Sequence, residues 1–140
     1  MIVYLDASVL VALFTDDGSS ARADVFVTDP ELVFHVSDFG AAELASAVAR
    51  KVRTGEMTME NAQAALANFD IWRDRTPVIH ATTSDDISGA ETFIRRLDLN
   101  LRAPDAIHIA IAQRHGLTLA TFDERMAACA RELGLAVAAA

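Results

Sequence analysis

The first fourteen residues constrain the fold more than any other stretch. Ile2-Val-Tyr-Leu5 is a short unbroken run of β-formers, which reads as a strand buried on both faces of a sheet. Asp6 interrupts the run, and Ala7 to Phe14 then resumes an apolar stretch. A second strand there would need a turn, and no Gly, Pro or Asn supplies one, so the spacing predicts a strand feeding directly into a buried helix. Asp6 is thereby placed at the carboxyl end of a core strand, the edge at which open α/β sheets bind ligands. Asp is also a favoured helix N-cap, so a capping role for Asp6 is the competing explanation.

The remaining elements follow the same alternation. Ser19 to Thr28 reads as a helix stopped before Asp29-Pro30, and Leu32 to Val36 as a strand. Ser37-Asp38 opens a long helix to about Arg53, with an apolar stripe of Ala41, Leu44, Ala45, Val48 and Val52. Thr58 caps a helix to about Arg73 whose buried side is Ala62, Leu66, Phe69 and Trp72. A strand follows at Pro77 to His80, and Thr83 or Ser84 starts the next helix. Its opening pair Asp85-Asp86 suits the positive end of a helix dipole better than a binding site. Pro104 sits in the first turn of a helix from Ala103 to His115, Leu117 to Thr121 is a strand, and Asp123 opens a helix to Leu133. Leu135 to Val137 could add an edge strand. The expected architecture is a three-layer α/β/α fold, with a parallel sheet of four to five strands covered by helices on both faces.

With 140 residues and no linker or repeat, one domain spanning the whole chain is expected. The hydrophobic fraction of 52% predicts a packed core. Cys129 is the only cysteine, so no internal disulfide can form; its setting in Met126-Ala-Ala-Cys129-Ala reads as core packing. No apolar run approaches bilayer-spanning length and the start lacks the basic flank of a signal peptide, so a cytoplasmic protein without membrane contact is expected. The helices at the start carry more apolar side chains (Val9, Leu10, Val11, Leu13, Phe14, Val25, Phe26, Val27) than one sheet face needs, which predicts a surface buried by a second copy. The net charge of −8 argues against gripping nucleic acid by bulk electrostatics, unless several acids gather around a cation that reverses the local sign.

Asp6, Glu43, Asp105 and Asp123 are the acids that stand out by position. Asp6 and Asp123 follow strands whose carboxyl ends share one edge of a parallel sheet, and the helix carrying Asp105 leads into the second of those strands. Glu43 lies away from the apolar stripe of its helix, with Ala47 and Arg50 along the same line. Periodicity alone does not bring Glu43 and Asp105 to that edge, and capping or solvation explains each acid singly. Were they to converge, carboxylates about 4 Å apart would repel by about 4 kcal/mol at an effective dielectric near 20. Such a group holds a proton or a metal. An all-oxygen set without His or Cys points to Mg²⁺ or Mn²⁺, an ion suited to phosphoryl chemistry. His35, His80, His108 and His115 show no close pairing in sequence and read as structural.

Taken together, Tyr4-Leu-Asp6-Ala-Ser8-Val-Leu, then Glu43-Leu44 with Arg50 and Gly55, then Pro104-Asp105-Ala-Ile-His108-Ile-Ala110, and last Leu119-Ala-Thr121-Phe-Asp123 resemble a PIN-domain ribonuclease of the VapC toxin type. The resemblance covers nearly all of the chain. It implies Mg²⁺- or Mn²⁺-dependent endonucleolytic cleavage of RNA by an acidic quartet at Asp6, Glu43, Asp105 and Asp123. Ser8 and Thr121 match hydroxyl positions that support those acids. It also implies a homodimer and inhibition by a cognate VapB-type antitoxin. Arg50, two helical turns beyond Glu43, is the best candidate for holding an RNA phosphate. Rival readings are a Mg²⁺-binding receiver-like phosphotransfer domain and a non-catalytic or antitoxin-type interaction module. A receiver domain needs a lysine at the end of a late strand, whereas the only lysine, Lys51, lies in the long helix. A haloacid-dehalogenase-type phosphatase would want an Asp where this chain has Ser8.

Overall fold

The computed structural model describes residues 1–138. Along the chain, β1 (Ile2–Leu5) leads through Asp6 into α1 (Ala7–Phe14), followed by α2 (Ser20–Val27), β2 (Val33–Ser37) and α3 (Asp38–Arg53). Then come α4 (Met59–Arg75), β3 (Val78–His80), α5 (Ser84–Ile94), a 3-10 turn (Leu97–Leu99) and α6 (Ala103–Arg114). β4 (Thr118–Ala120), α7 (Glu124–Glu132) and β5 (Val137–Ala138) close the order. All strand pairs are parallel, in the order β3-β2-β1-β4-β5, so β1 is central and its carboxyl end faces that of β4. The fold is the expected three-layer α/β/α arrangement, with five strands among the described residues. None of its described helices is long and apolar enough to cross a membrane.

Alternation along the strands divides the core. Val3 and Leu5 of β1, Phe34 and Val36 of β2 and Ala120 of β4 face a layer that includes Val9 and Leu10 of α1, Leu44 and Val48 of α3, and Ala62 and Phe69 of α4. Tyr4 of β1 and Leu119 of β4 face the opposite layer, with Ala106, Ile109 and Ile111 of α6, Met126 and Cys129 of α7, and Ala90 of α5. Cys129 is therefore a core residue, as its apolar setting implies.

Three expectations change. The buried stripe of α3 is Gly40, Leu44 and Val48 with Ala41 and Val52 partly covered, whereas Ala45 is exposed. The helix is rotated slightly from the predicted face, and this leaves Glu43 and Ala47 on the flank of the buried side. The apolar surplus of α1 and α2 finds partners mostly within the chain. Phe14 packs edge-on against Phe69 and Trp72, with ring centroids 5.3 and 5.5 Å away, and Phe26 meets Phe34. Val25, at 74% exposure, is the residue of that set left open.

The third change concerns the histidines, which are paired after all. His35 Nδ1 and His80 Nε2 lie 2.7 Å apart, and the His80 ring stacks on His115 with centroids 3.8 Å apart. Spacing in sequence does not show this, because β2 and β3 are joined through two helices before they pair. Burial and neighbouring positive charge hold all three below the ordinary histidine pKa. No three His, Cys, Asp or Glu side chains among the described residues are placed as a metal cage, here or elsewhere.

Candidate active site

Asp6 serves both of its competing explanations. Its backbone N–H continues the β1–β4 ladder by donating to Ala120 O, and its carboxylate caps α1 through Val9 N at 3.2 Å. The same carboxylate, only 3% exposed as a residue, also accepts from two hydroxyls. Ser8 Oγ donates to Oδ1 at 2.6 Å and Thr121 Oγ1 to Oδ2 at 2.5 Å. Each hydroxyl in turn accepts from the turn after β4: Ser8 from Phe122 N at 2.9 Å, Thr121 from Asp123 N at 3.0 Å. The resemblance had implied supporting roles for Ser8 and Thr121, and both lie against Asp6. They tie the end of β1 to the loop that carries Asp123.

Burial raises the pKa of Asp6, against the nearby His108 and the hydrogen bonds from Ser8, Thr121 and Val9. Asp105, in the first turn of α6 behind Pro104, is partly buried. Its pKa is raised by burial first, then by the charge of Asp123, with smaller contributions from Asp6 and Glu43, while His108 acts the other way. The other three acids therefore all bear on Asp105. Asp123, exposed, caps α7 through Met126 N at 3.0 Å.

Glu43 reaches this edge from α3, and a residue read as structural holds it there. His108 Nε2 makes a short hydrogen bond to Glu43 Oε1. His108 Nδ1 lies 2.6 Å from Tyr4 Oη, which is 2.7 Å from Ser37 Oγ, which accepts from Gly40 N at 3.0 Å. Burial pushes the Tyr4 phenol far above its ordinary pKa, so it stays neutral. A signal for His108 was present in the sequence: it is the one titratable side chain among Ile107, Ile109, Ala110 and Ile111. It also lies three residues after Asp105, hence on the same helical face.

Two adjoining depressions open beside Glu43, the first of them reaching Asp123 as well. One, of about 500 Å³, is lined by Ala7, Ser8, Val11, Asp17, Ser19, Glu43, Ala47, Phe122 and Asp123. The other, of about 440 Å³, is lined by Glu43, Ser46, Ala47, Arg50, Lys51, Arg53 and Glu56. Glu43 and Ala47 belong to both, so a path runs from the acids to Arg50. Arg50 makes no ion pair with Glu43, whose partner is His108, and forms no salt bridge among the described residues. Arg95 and Arg96 are paired to Glu91 and Asp98.

A model of the PIN domain matches residues 3–132. The chain belongs to the PIN-domain family. Across 98% of its length this PIN domain is 33% identical to ribonuclease VapC46 of Mycobacterium tuberculosis, covering 96% of that protein. Its fold is similar to the crystal structure of M. tuberculosis VapC20, described as a toxin cleaving the sarcin-ricin loop. That likeness has a TM-score of 0.73 and 21% identity, over 90% of this chain and 93% of the other. It is also similar to a chain of VapBC2 from Rickettsia felis bound to promoter DNA. There the TM-score is 0.70 and the identity 16%, over 99% and 98% of the two chains.

The donor set of this PIN domain is chemically suited to a hard divalent cation. It is all carboxylate, and the burial that raises the pKa of Asp105, with the neighbouring carboxylates that add to it, opposes a charge that a cation would stabilise. As placed, no three His, Cys, Asp or Glu side chains among the described residues are grouped so as to hold an ion.

Proposed function

We propose that this protein is a VapC-type toxin: an endoribonuclease that hydrolyses RNA phosphodiester bonds with Mg²⁺ or Mn²⁺ and is neutralised by a VapB-type antitoxin in the cytoplasm. What supports the reading is that Asp123, Asp6 and Glu43 all act on the charge of Asp105 near the β1–β4 edge, and that a depression runs from Glu43 and Asp123 to Arg50. Family membership and the names of the VapC relatives support the substrate and the partner.

In this reading the four acids hold the cation, which supplies the Lewis acidity and charge neutralisation that phosphodiester hydrolysis needs. Ser8 and Thr121 keep both oxygens of Asp6 directed, and the turn 121–123 brings Asp123 alongside. The experiment is calorimetry with Mn²⁺ on wild type and Asp6→Asn, beside RNA cleavage by both. A wild type that binds no divalent ion would favour the rival, an interaction module whose acids are only caps.

A net charge of −8 requires that RNA be gripped locally. Arg50, in the same depression as Glu43, takes a phosphate oxygen of the strand. In a non-cleaving Asp6→Asn background with Mg²⁺, Arg50→Ala is expected to weaken RNA binding and to make its salt dependence shallower by about one counterion. Unchanged affinity and slope would make Arg50 a structural residue and move the RNA track elsewhere.

The protein is also expected to be a homodimer. Val25 of α2 and Ile71 of α4, on helices that flank α1, are 74% and 55% exposed, and a second copy would cover them. Light scattering that gives a monomer mass at micromolar concentration without antitoxin would refute this.

A further inference from the structure

We infer that His108 is the positioning residue for Glu43, and that a hydrogen-bonded chain from the start of α3 through Tyr4 presets its imidazole for that task. The inference rests on the metal-site reading above and goes beyond it, because nothing in the acidic quartet requires a histidine.

One direction is fixed by chemistry: Glu43 Oε1, a carboxylate oxygen, can only accept, so His108 Nε2 donates to it. In the neutral imidazole this leaves Nδ1 to accept, and Tyr4 Oη, 2.6 Å away, is placed to donate to it. The Gly40 N–H donates to Ser37 Oγ, so the Ser37 hydroxyl proton is available to Tyr4 Oη. With these directions every donor and acceptor in the buried chain has a partner. The His108 ring is 2% exposed, and Phe39 and Tyr4 pack against it with centroids 5.1 and 5.6 Å away. It cannot swing away to leave Glu43 with water.

The consequence is a division of labour within Glu43: Oε1 is fixed by His108, while Oε2 makes no hydrogen bond among the described residues. A glutamate on a helix flank has three rotatable bonds, and ordering them at the moment of ion binding costs affinity. Holding one oxygen in advance lowers that cost. Partners of this kind behind a ligand change metal affinity by about 10- to 100-fold.

The test uses Mn²⁺ alone, titrated calorimetrically into wild type, Glu43→Gln, His108→Phe, His108→Gln and Tyr4→Phe. His108→Phe is expected to lower Mn²⁺ affinity about 10- to 100-fold. His108→Gln, whose amide N–H can still reach Glu43, is expected to recover part of the loss. Tyr4→Phe keeps the ring packing and should lose less than His108→Phe. If His108→Phe lowers the melting temperature yet binds Mn²⁺ like wild type, the residue is merely structural and the inference is overturned. A second readout needs no metal: ¹⁵N NMR of the histidine rings at about pH 8 should show His108 protonated on Nε2, a state weakened in Tyr4→Phe. A bare Nε2 overturns the inference whatever the calorimetry gives. If wild type binds no Mn²⁺, or Glu43→Gln binds it as wild type does, the metal-site reading fails, and the NMR result alone decides whether His108 orients Glu43.

Discussion

Asp105→Asn and Asp6→Asn are each expected to lower RNA cleavage in Mg²⁺ by about 10³-fold or more. That figure is the loss of about 4 kcal/mol of transition-state stabilisation when one charged oxygen leaves a site of this kind. The two variants should differ in stability. Asp105 stands where burial and three neighbouring carboxylates oppose its charge, so a neutral isostere removes repulsion, and the metal-free melting temperature should hold or rise. Asp6 is opposed by burial too, but it accepts from Ser8, Thr121 and Val9. An amide there sets an N–H₂ against a hydroxyl that now donates, and one of those bonds must reverse. The Thr121 proton would be left with Ser8 Oγ, 3.3 Å away, or the Met126 sulfur, 3.8 Å away. Asp6→Asn is therefore expected to be no more stable than Asp105→Asn. Cleavage by either variant at the wild-type rate would sink the assignment.

What was legible in the sequence divides along physical lines. The order of elements was readable because each junction has local chemistry. Asp6 caps α1, Ser37 caps α3, Thr58 caps α4, and Pro104 sits in the first turn of α6. That Asp6 and Asp123 share an edge follows from parallel pairing of β1 and β4 and needs no side-chain detail. The approach of Glu43 was not readable, because it depends on the rotation of α3, and the predicted stripe had included Ala45, which is exposed. The His108–Glu43 contact crosses 65 residues, and the His35–His80 pair crosses 45. No local pattern encodes either distance. Asp85-Asp86 sits in the first turn of α5 as the dipole reading expects, and Asp86 is in addition an anchor for Arg114, a partner on another helix that helix-start chemistry cannot reveal.

The role of Asp86 leads to the second large expectation. The residue is 1% exposed, and it closes the capping box of α5 by accepting from Thr83 N at 2.9 Å. It also takes Arg114 in a two-point grip, with Nε to Oδ1 at 2.7 Å and Nη2 to Oδ2 at 3.0 Å. Arg114 is the last residue of α6, the helix whose first turn carries Asp105 and whose middle carries His108. Asp86 thus secures the far end of the helix that positions two site residues. Asp86→Asn keeps the shape, removes the charge and leaves Arg114 without its carboxylate. Because the Arg114 side chain is 34% exposed, the expected loss is about 2–3 kcal/mol, short of a fully buried pair, or roughly 6–10 °C in melting temperature.

The pH dependence identifies the cause. Burial works against the Asp86 charge, but Arg114 and the Thr83 N–H outweigh it and hold the pKa below the usual carboxylate range. A depressed acid gives stability that is present above its unfolded pKa, about 4, and is lost as pH falls through the folded value. The melting-temperature gap between wild type and Asp86→Asn should therefore close in acid below about pH 4. Between about pH 7 and 5 another group acts. His35, His80 and His115 have folded pKa values below the unfolded one, so the unfolded chain takes protons first and stability falls as pH drops from about 6.5. Asp86 moderates that loss by favouring the charged forms of His80 and His115, so the gap should widen slightly over this range before it closes. A gap that stays constant from pH 7 to pH 3 would mean that the Asp86 charge contributes nothing, and that α6 is held by packing against α5 alone.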